Sequence, residues 1–433
     1  MSKILLESFR TAYANMELSP LITPKEVENF RVEYGTEVLE QLEQLVEDDP
    51  SGRGKIIFSG HRGCGKSTLL AEFCRQMNDR YFTVFFSISD LIEMSDVNHI
   101  NILFAIAVQL MDAAEKLEIP IKQSIKESFY NWFATKTKTK IDELGASGSV
   151  GFNLFKMITG KLKADATIRE EIKQEFIRKV SDLVATINEI AAVVREGAKK
   201  DVIVVIDDLD KLDLGVVRQV YQEHIKALFL PNFRMILTTP ISALRDVSLA
   251  ATVETETNDQ IVFMPVTKLF KRGESRNADA VAMAEPAARL KEILAKRLGS
   301  ELIEPETLDR VVAYSGGVLR ELIRIANECC RICLRLVRRN PEAAIKINAE
   351  VFEEAINKLR IDFDTRLGTT DYEMLMATYR DFKPADPKAQ GFLDLLHGLY
   401  VLEYRNGVLW YDIHPIVLEL LKQRDDFPLE EFL

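Results

Sequence analysis

The chain has 433 residues, enough for about two to four ordinary domains, and 47% hydrophobic against 28% charged residues is the balance of a chain with packed cores. A net charge of −11 argues against a general polyanion binder. No run reaches the ~18 apolar residues of a membrane span, and the start Met1–Ser8 has no apolar leader core, so neither a membrane anchor nor secretion is expected. Five cysteines, an odd number in a long chain, fit a reducing cytoplasm better than a disulfide framework.

Residues 1–54 read as a mainly helical, polar segment. Thr23-Pro-Lys-Glu26 supplies an N-cap, a proline at the first helical position and an early acid, and Glu37–Glu47 reads as a second helix. The turn Asp48–Gly54 then leads into a short apolar strand, Lys55–Ser59. Next comes Gly60-His61-Arg62-Gly63-Cys64-Gly65-Lys66-Ser67-Thr68, which fits G-x-x-x-x-G-K-[ST] at every fixed position, and an amphipathic helix to Met77. Glycines let such a loop fold into a nest of N–H groups, and the helix adds its positive amino end. All nine residues are therefore candidate phosphate ligands. Lys66 is placed to reach the β- and γ-phosphates, and the Ser67 hydroxyl to ligate Mg²⁺.

Further strands are expected at Tyr81–Ile88, Asp201–Ile206, Asn232–Thr239 and Gln260–Met264, with a helix over Asn101–Leu117. Near-continuous Val/Ile/Phe strands separated by helices indicate a parallel sheet covered on both faces. Two βα units would need only ~60 residues, yet 141 positions separate Lys66 from Asp207. The surplus contains the run Thr135–Lys140, a Gly/Ser spacer at Gly145–Ser149, and two alternating stretches, Val150–Met157 and Leu162–Ile168. A basic insert over about 120–165, a β-hairpin or a small subdomain, is expected, followed by one long helix, Ile168–Glu196. Residues 121–165 hold eight Lys against four acids. With Phe129, Tyr130, Trp132 and Phe133 beside them, these lysines offer either a nucleic-acid or acidic-partner surface or a solvated hairpin with its aromatics packed down.

From 266 to 365 the pattern is a helical lid, with segments near 285–299, 305–314, 317–338 and 349–360. Residues 366–433 read as helix (Tyr372–Tyr379), helix (Ala389–Leu399), a hairpin around Asn406-Gly407, and a closing helix (His414–Leu421), the order of a winged helix. Cys329, Cys330 and Cys333 fall within one helix without a second ligand pair, so they read as thiols rather than metal ligands.

The strand Val202–Ile206 ends in Asp207-Asp208. An acid there is a Mg²⁺ candidate, which assigns Asp207 to the metal and Asp208 to orienting or activating a water. Asp210 and Asp213 read as surface acids. Thr238 and Thr239 end the next strand, where their hydroxyls serve either the γ-phosphate and lytic water or the backbone of the strand end. Arg320, at a helix start in the lid, is the candidate to report the γ-phosphate, the alternative being a solvated helix-surface arginine.

The ordered set Gly60–Ser67, Ile206-Asp207-Asp208, Leu237-Thr-Thr239 and Gly317-x-x-Arg320, with a winged helix after it, resembles the AAA+ and STAND-type ATPases, closest to the branch of origin-recognition-like initiators and prokaryotic signalling NTPases. The resemblance covers roughly residues 20–425. It makes these segments Walker A, Walker B, sensor 1 and sensor 2, and implies ATP with Mg²⁺ and nucleotide-controlled oligomers. Position 208 is Asp where most AAA+ enzymes carry Glu, a STAND-like feature that points to slow turnover. No arginine precedes Gln260–Met264, so no neighbour-contacting finger is assigned, Arg234 and Arg245 included.

The expectation is thus a nucleotide switch, either an ATPase controlling self-assembly or engaging a protein partner, in signalling, anti-phage defence or DNA-linked work. The alternatives are a small-molecule kinase with Asp90 as base, a non-hydrolysing nucleotide-bound scaffold, and a DNA-binding module using Lys136, Lys138 and Lys140.

Overall fold

A computed structural model describes residues 2–139, 150–277, 279–425 and 427. The chain divides into two compact units. One comprises residues 37–59 and 69–263, the other residues 1–36, 60–68 and 264–433.

The first unit is built on a five-stranded sheet of β1 (Lys55–Gly60), β2 (Tyr81–Ser87), β3 (Asp201–Asp207), β4 (Arg234–Pro240) and β5 (Ile261–Met264), in the order β2-β3-β4-β1-β5. The sheet is parallel, as continuous β-branched runs require when helices cover both faces. β1 and β4 are buried throughout and β3 at every residue but its first, whereas β2 and β5 alternate half-buried with buried residues. That alternation marks the two edge strands, so Tyr81–Ser87 is less enclosed than its aromatic composition suggests. The register sets Phe86 beside Ile206 and Ser87 beside Asp207.

Helix His99–Lys116 is buried almost all round and packs against Val180–Ala198 and Val150–Ala164. The insert is helical: Gln123–Lys136, Val150–Ala164 and Ala166–Phe176 replace the expected hairpin. Leu154, Phe155, Ile158 and Leu162, all at most 2% exposed, recur at helical spacing and not at period two. The expected long helix is also broken, ending at Phe176 and restarting at Val180 without a glycine or proline to announce it. Phe129, Tyr130 and Phe133 are buried, and Trp132 packs against Phe104 and Phe133. Lys136 pairs with Glu175 and Lys138 with Glu171, while the Lys161 ammonium donates to the Lys138 carbonyl at 2.7 Å. The aromatics are packed down, and Lys136 and Lys138 each face an acid of the same insert. Lys140 and the Gly145–Ser149 spacer lie outside the described residues.

In the second unit, helix Ser2–Asn15 packs on Leu319–Arg339, and Pro24–Phe30 carries the expected capping box, Thr23 with Glu26. The lid helices are Ala284–Ala295, Pro305–Tyr314, Leu319–Arg339 and Ala349–Asp364. Helices Thr369–Asp381 and Gln390–His397, an antiparallel pair β6 (Val401–Asn406) and β7 (Val408–Ile413), and helix Pro415–Lys422 follow in winged-helix order. Gly407, at φ +85°, makes the reversal. Among the described residues no helix is long and apolar enough to cross a membrane.

Candidate functional site

The loop Gly60–Thr68 belongs to the unit that holds the lid and winged helix. Gly63 sits at φ +81°, and a Cβ there would lie 2.3 Å from the Cβ of Arg320, so only glycine fits. The Arg320 N–H donates to the Gly63 carbonyl at 2.9 Å, which ties the first turn of helix Leu319–Arg339 to the loop. His61 is 2% exposed, and its Nε2 accepts the Glu403 N–H from β6 at 2.8 Å. At the loop's far end, Thr68 Oγ1 accepts the Leu21 N–H at 3.0 Å. Lid, wing and amino-terminal strap each place a backbone donor on this loop.

Inside the loop, the Cys64 thiol donates to the His61 carbonyl at 2.9 Å. The buried Lys66 ammonium donates to the carbonyls of Gly60 at 2.9 Å and His61 at 2.8 Å. The helix that begins at Lys66 leaves its first amides to an acceptor ahead of it. Gly65, at φ +98°, keeps the backbone open for close approach, with Leu319 Cδ1 only 3.0 Å from where a Cβ would stand. Arg62 and Ser67 are half-buried.

In the other unit, β3 ends in the acids. Asp207, Asp208 and Asp210 are 3%, 7% and 5% exposed, and each offers a ligand oxygen within 4.8 Å of the others. Asp210 is thus a buried member of the cluster rather than a surface acid. Asp213 caps the next helix by accepting the Val216 N–H at 3.0 Å. Three buried oxygen donors of this kind suit Mg²⁺.

Asp208 turns the chain at φ +67°, a conformation aspartate tolerates. Its Oδ2 accepts from Ser87 Oγ at 2.6 Å and Ser89 Oγ at 2.8 Å, and its Oδ1 faces the Lys211 ammonium at 2.6 Å. Burial pushes this carboxyl up, but Lys211, Ser87 and Ser89 outweigh it and hold the group below the usual aspartate range. A carboxylate so well satisfied is a weak proton acceptor.

Thr238 serves the backbone: its Oγ1 accepts the Leu209 N–H at 3.0 Å, fixing the acidic turn to β4. The Thr239 hydroxyl is buried beside Tyr221 and makes no hydrogen bond among the described residues, while its carbonyl accepts from Ser59 Oγ at 2.9 Å. Arg320 is half-buried and meets the loop through its backbone. Arg234, at the start of β4, is buried at the sheet's amino edge and tied to Asp49 at 3.4 Å. Asp90 is exposed, one residue past the serine that holds Asp208. All five cysteines are buried, and burial pushes the Cys330 thiol up to about 12.

Sequence reasoning missed Ser87, Ser89, Lys211 and Tyr221, whose hydroxyl donates to the Thr238 carbonyl at 2.8 Å. Their signal was faint: Ser87 ends a strand, but only the lateral register sets it beside Asp207.

Residues 36–222 match the AAA ATPase domain. The match takes in the phosphate loop, the insert and the acidic end of β3, and stops short of Thr239, β5 and the lid. No curated protein matches the chain. Among solved structures, the chain is similar to the crystal structure of Cdc6p from Pyrobaculum aerophilum, with 14% identity, coverage of 94% of this chain and 97% of that one, and a TM-score of 0.39.

Proposed function

We propose that the protein is an ATP-binding, slowly hydrolysing switch of the AAA+ or STAND type that controls self-assembly or the engagement of a protein partner. The observation that carries this reading is the anchoring of the phosphate loop. Its carbonyl at Gly63, its imidazole at His61 and its hydroxyl at Thr68 are bonded to the lid, the winged helix and the amino-terminal strap. A triphosphate that displaces the Lys66 ammonium from its two loop carbonyls alters the frame on which those three anchors depend. A simple kinase has no need of such anchors, and its supposed base, Asp90, is exposed.

In this reading the loop amides from Gly60 to Thr68 and Lys66 hold the phosphates, and Ser67 and Asp207 hold Mg²⁺. Mg²⁺ supplies charge neutralisation at the β- and γ-oxygens when bound. Asp208 orients the attacking water rather than taking its proton, which favours slow turnover. Thr239 and Arg320 are assigned to sensing the γ-phosphate. Residues 1–54, 55–265, 266–365 and 366–433 serve as strap, ATPase core, lid and winged helix, and five buried thiols support a reducing cytoplasm. The paired lysines of the insert leave DNA without a specific observation in its favour.

The test is mass and shape by light scattering and small-angle scattering, with ADP against a non-hydrolysable ATP analogue. A nucleotide-dependent change in assembly or dimensions that is lost in Lys66→Ala is the expected result. Identical profiles with both nucleotides, at concentrations where calorimetry shows both bound, would reject the switch.

A further inference from the structure

The starts of β3 and β4, the turn Pro50–Arg53 and helix Val180–Ala198 enclose a polar cavity of about 420 Å³ in the ATPase core. Its charged lining is three arginines, Arg53, Arg195 and Arg234, against one acid, Asp201, with Asn188 and Asn232 between them. It lies at the amino edge of the sheet, where the strands begin, whereas the phosphate loop follows the carboxyl end of β1.

Donors outnumber acceptors there. Three guanidiniums bring about fifteen N–H groups and no acceptor. Arg234 is only 6% exposed and lies over the Tyr81 ring at 5.3 Å; its Nη2 donates to the Asp49 carbonyl at 2.9 Å, yet among the described residues its Nε and Nη1 make no hydrogen bond. The adjacent Asp49 pairs with Nε at 3.4 Å without a hydrogen bond, because its own turn takes most of its acceptor capacity. Its Oδ1 accepts from the Ser51 N–H at 3.0 Å and the Ser51 hydroxyl at 2.6 Å, and its Oδ2 from the Gly54 N–H at 2.8 Å. Asp201 is shared at long range, 3.4 Å from Arg195 Nε and 3.6 Å from Arg234 Nη1. Arg195 otherwise reaches only the Asn232 carbonyl, at 3.4 Å, and the exposed Arg53 guanidinium has no side-chain partner among the described residues.

A buried arginine with unmet donors, flanked by two more in an otherwise acidic chain, calls for a ligand that is all acceptor. A tetrahedral phosphate takes such donors from several directions at once. The cavity falls within the size range of small-molecule sites and exceeds what a bare ion fills. We propose that this cavity binds a small phosphomonoester, its phosphate held by Arg53, Arg195 and Arg234.

The test uses the full chain carrying Lys66→Ala, so that the phosphate loop is disabled, with ribose 5-phosphate as the probe in calorimetry and phosphorus NMR. One binding site is expected. Arg195→Gln and Arg53→Gln, each added to that background, should weaken it about tenfold or more, since one charge-assisted hydrogen bond is at stake in each. Both side chains are largely solvent-facing, so unchanged melting without the probe separates lost contact from lost fold. Three results would overturn the proposal: no binding to the Lys66→Ala chain, affinity that both glutamine variants leave untouched, or an acidic peptide that binds in an Arg195-dependent way where ribose 5-phosphate does not.

Discussion

The loop Gly60–Thr68 is anchored by backbone donors from Leu21, Arg320 and Glu403, whereas Asp208 is anchored by side chains at and just beyond the strand ends of its own unit, Ser87, Ser89 and Lys211. The two halves of the candidate site are therefore held in different ways. The acidic turn is locked into a rigid parallel sheet, with Thr238 stitching it to β4. The loop answers to elements up to 342 positions away in sequence. Rigidity at one and long-range attachment at the other are what the proposed switch would need: a fixed acidic turn and a loop whose state other elements can feel.

The sharpest way to break this contrast is Lys66→Ala. It removes the one ammonium in the loop and should lower nucleotide affinity by about a hundredfold or more, read by calorimetry. Retained affinity would end the assignment of the loop to phosphate. Gly63→Ala should come next. The new Cβ cannot stand 2.3 Å from Arg320, and φ +81° is strained for alanine, so a loss of about 1–3 kcal/mol in thermal unfolding is expected, together with greater protease sensitivity of the lid. Asp207→Asn should erase most of the Mg²⁺ dependence of nucleotide binding; a full Mg²⁺ response would move the ion to Asp208 or Asp210.

Asp208→Asn addresses the sheet-locked side. Its carboxyl is held below the ordinary value of about 3.9, so the stability it contributes is present above that value and is lost as pH falls through the folded-state value. At neutral pH the variant should lose about 1–3 kcal/mol in urea unfolding, with the gap to the native chain closing in acid. A gap that persists below the aspartate range would mean the charge is not what Ser87, Ser89 and Lys211 recognise. The smallest effect is expected for the pair Lys136→Ala and Lys138→Ala. Each removes a surface ion pair, so stability should move by less than about 1 kcal/mol and duplex DNA affinity not at all. A salt-sensitive affinity lost in that pair would revive nucleic-acid binding.

The strands and the loop were legible because their signals are local: β-branched runs, G-x-x-x-x-G-K-S, and acids at a strand end. Of the two readings of the insert the hairpin fails, because Gly/Ser spacers and short apolar alternations look like hairpin sequence, while Leu154, Phe155, Ile158 and Leu162 also satisfy a helix, and packing against His99–Lys116 decides between them. The break before Val180 has no composition to betray it. The partners of Asp208 and the grip of Glu403 on His61 depend on lateral register and on chain return, which one sequence read in order does not contain. Asp210 was taken for a surface acid because nothing in Asp-Leu-Asp reveals that the turn folds inward.

Cys64 gives the phosphate loop a built-in reporter. Its thiol is fully covered and turned onto the His61 carbonyl, and the other four cysteines lie in cores, three of them on one helix. A maleimide added to the native protein should therefore find almost nothing to alkylate. Any event that unfastens the loop would expose a single new nucleophile, and its rate of labelling would time that opening without a probe engineered into the chain.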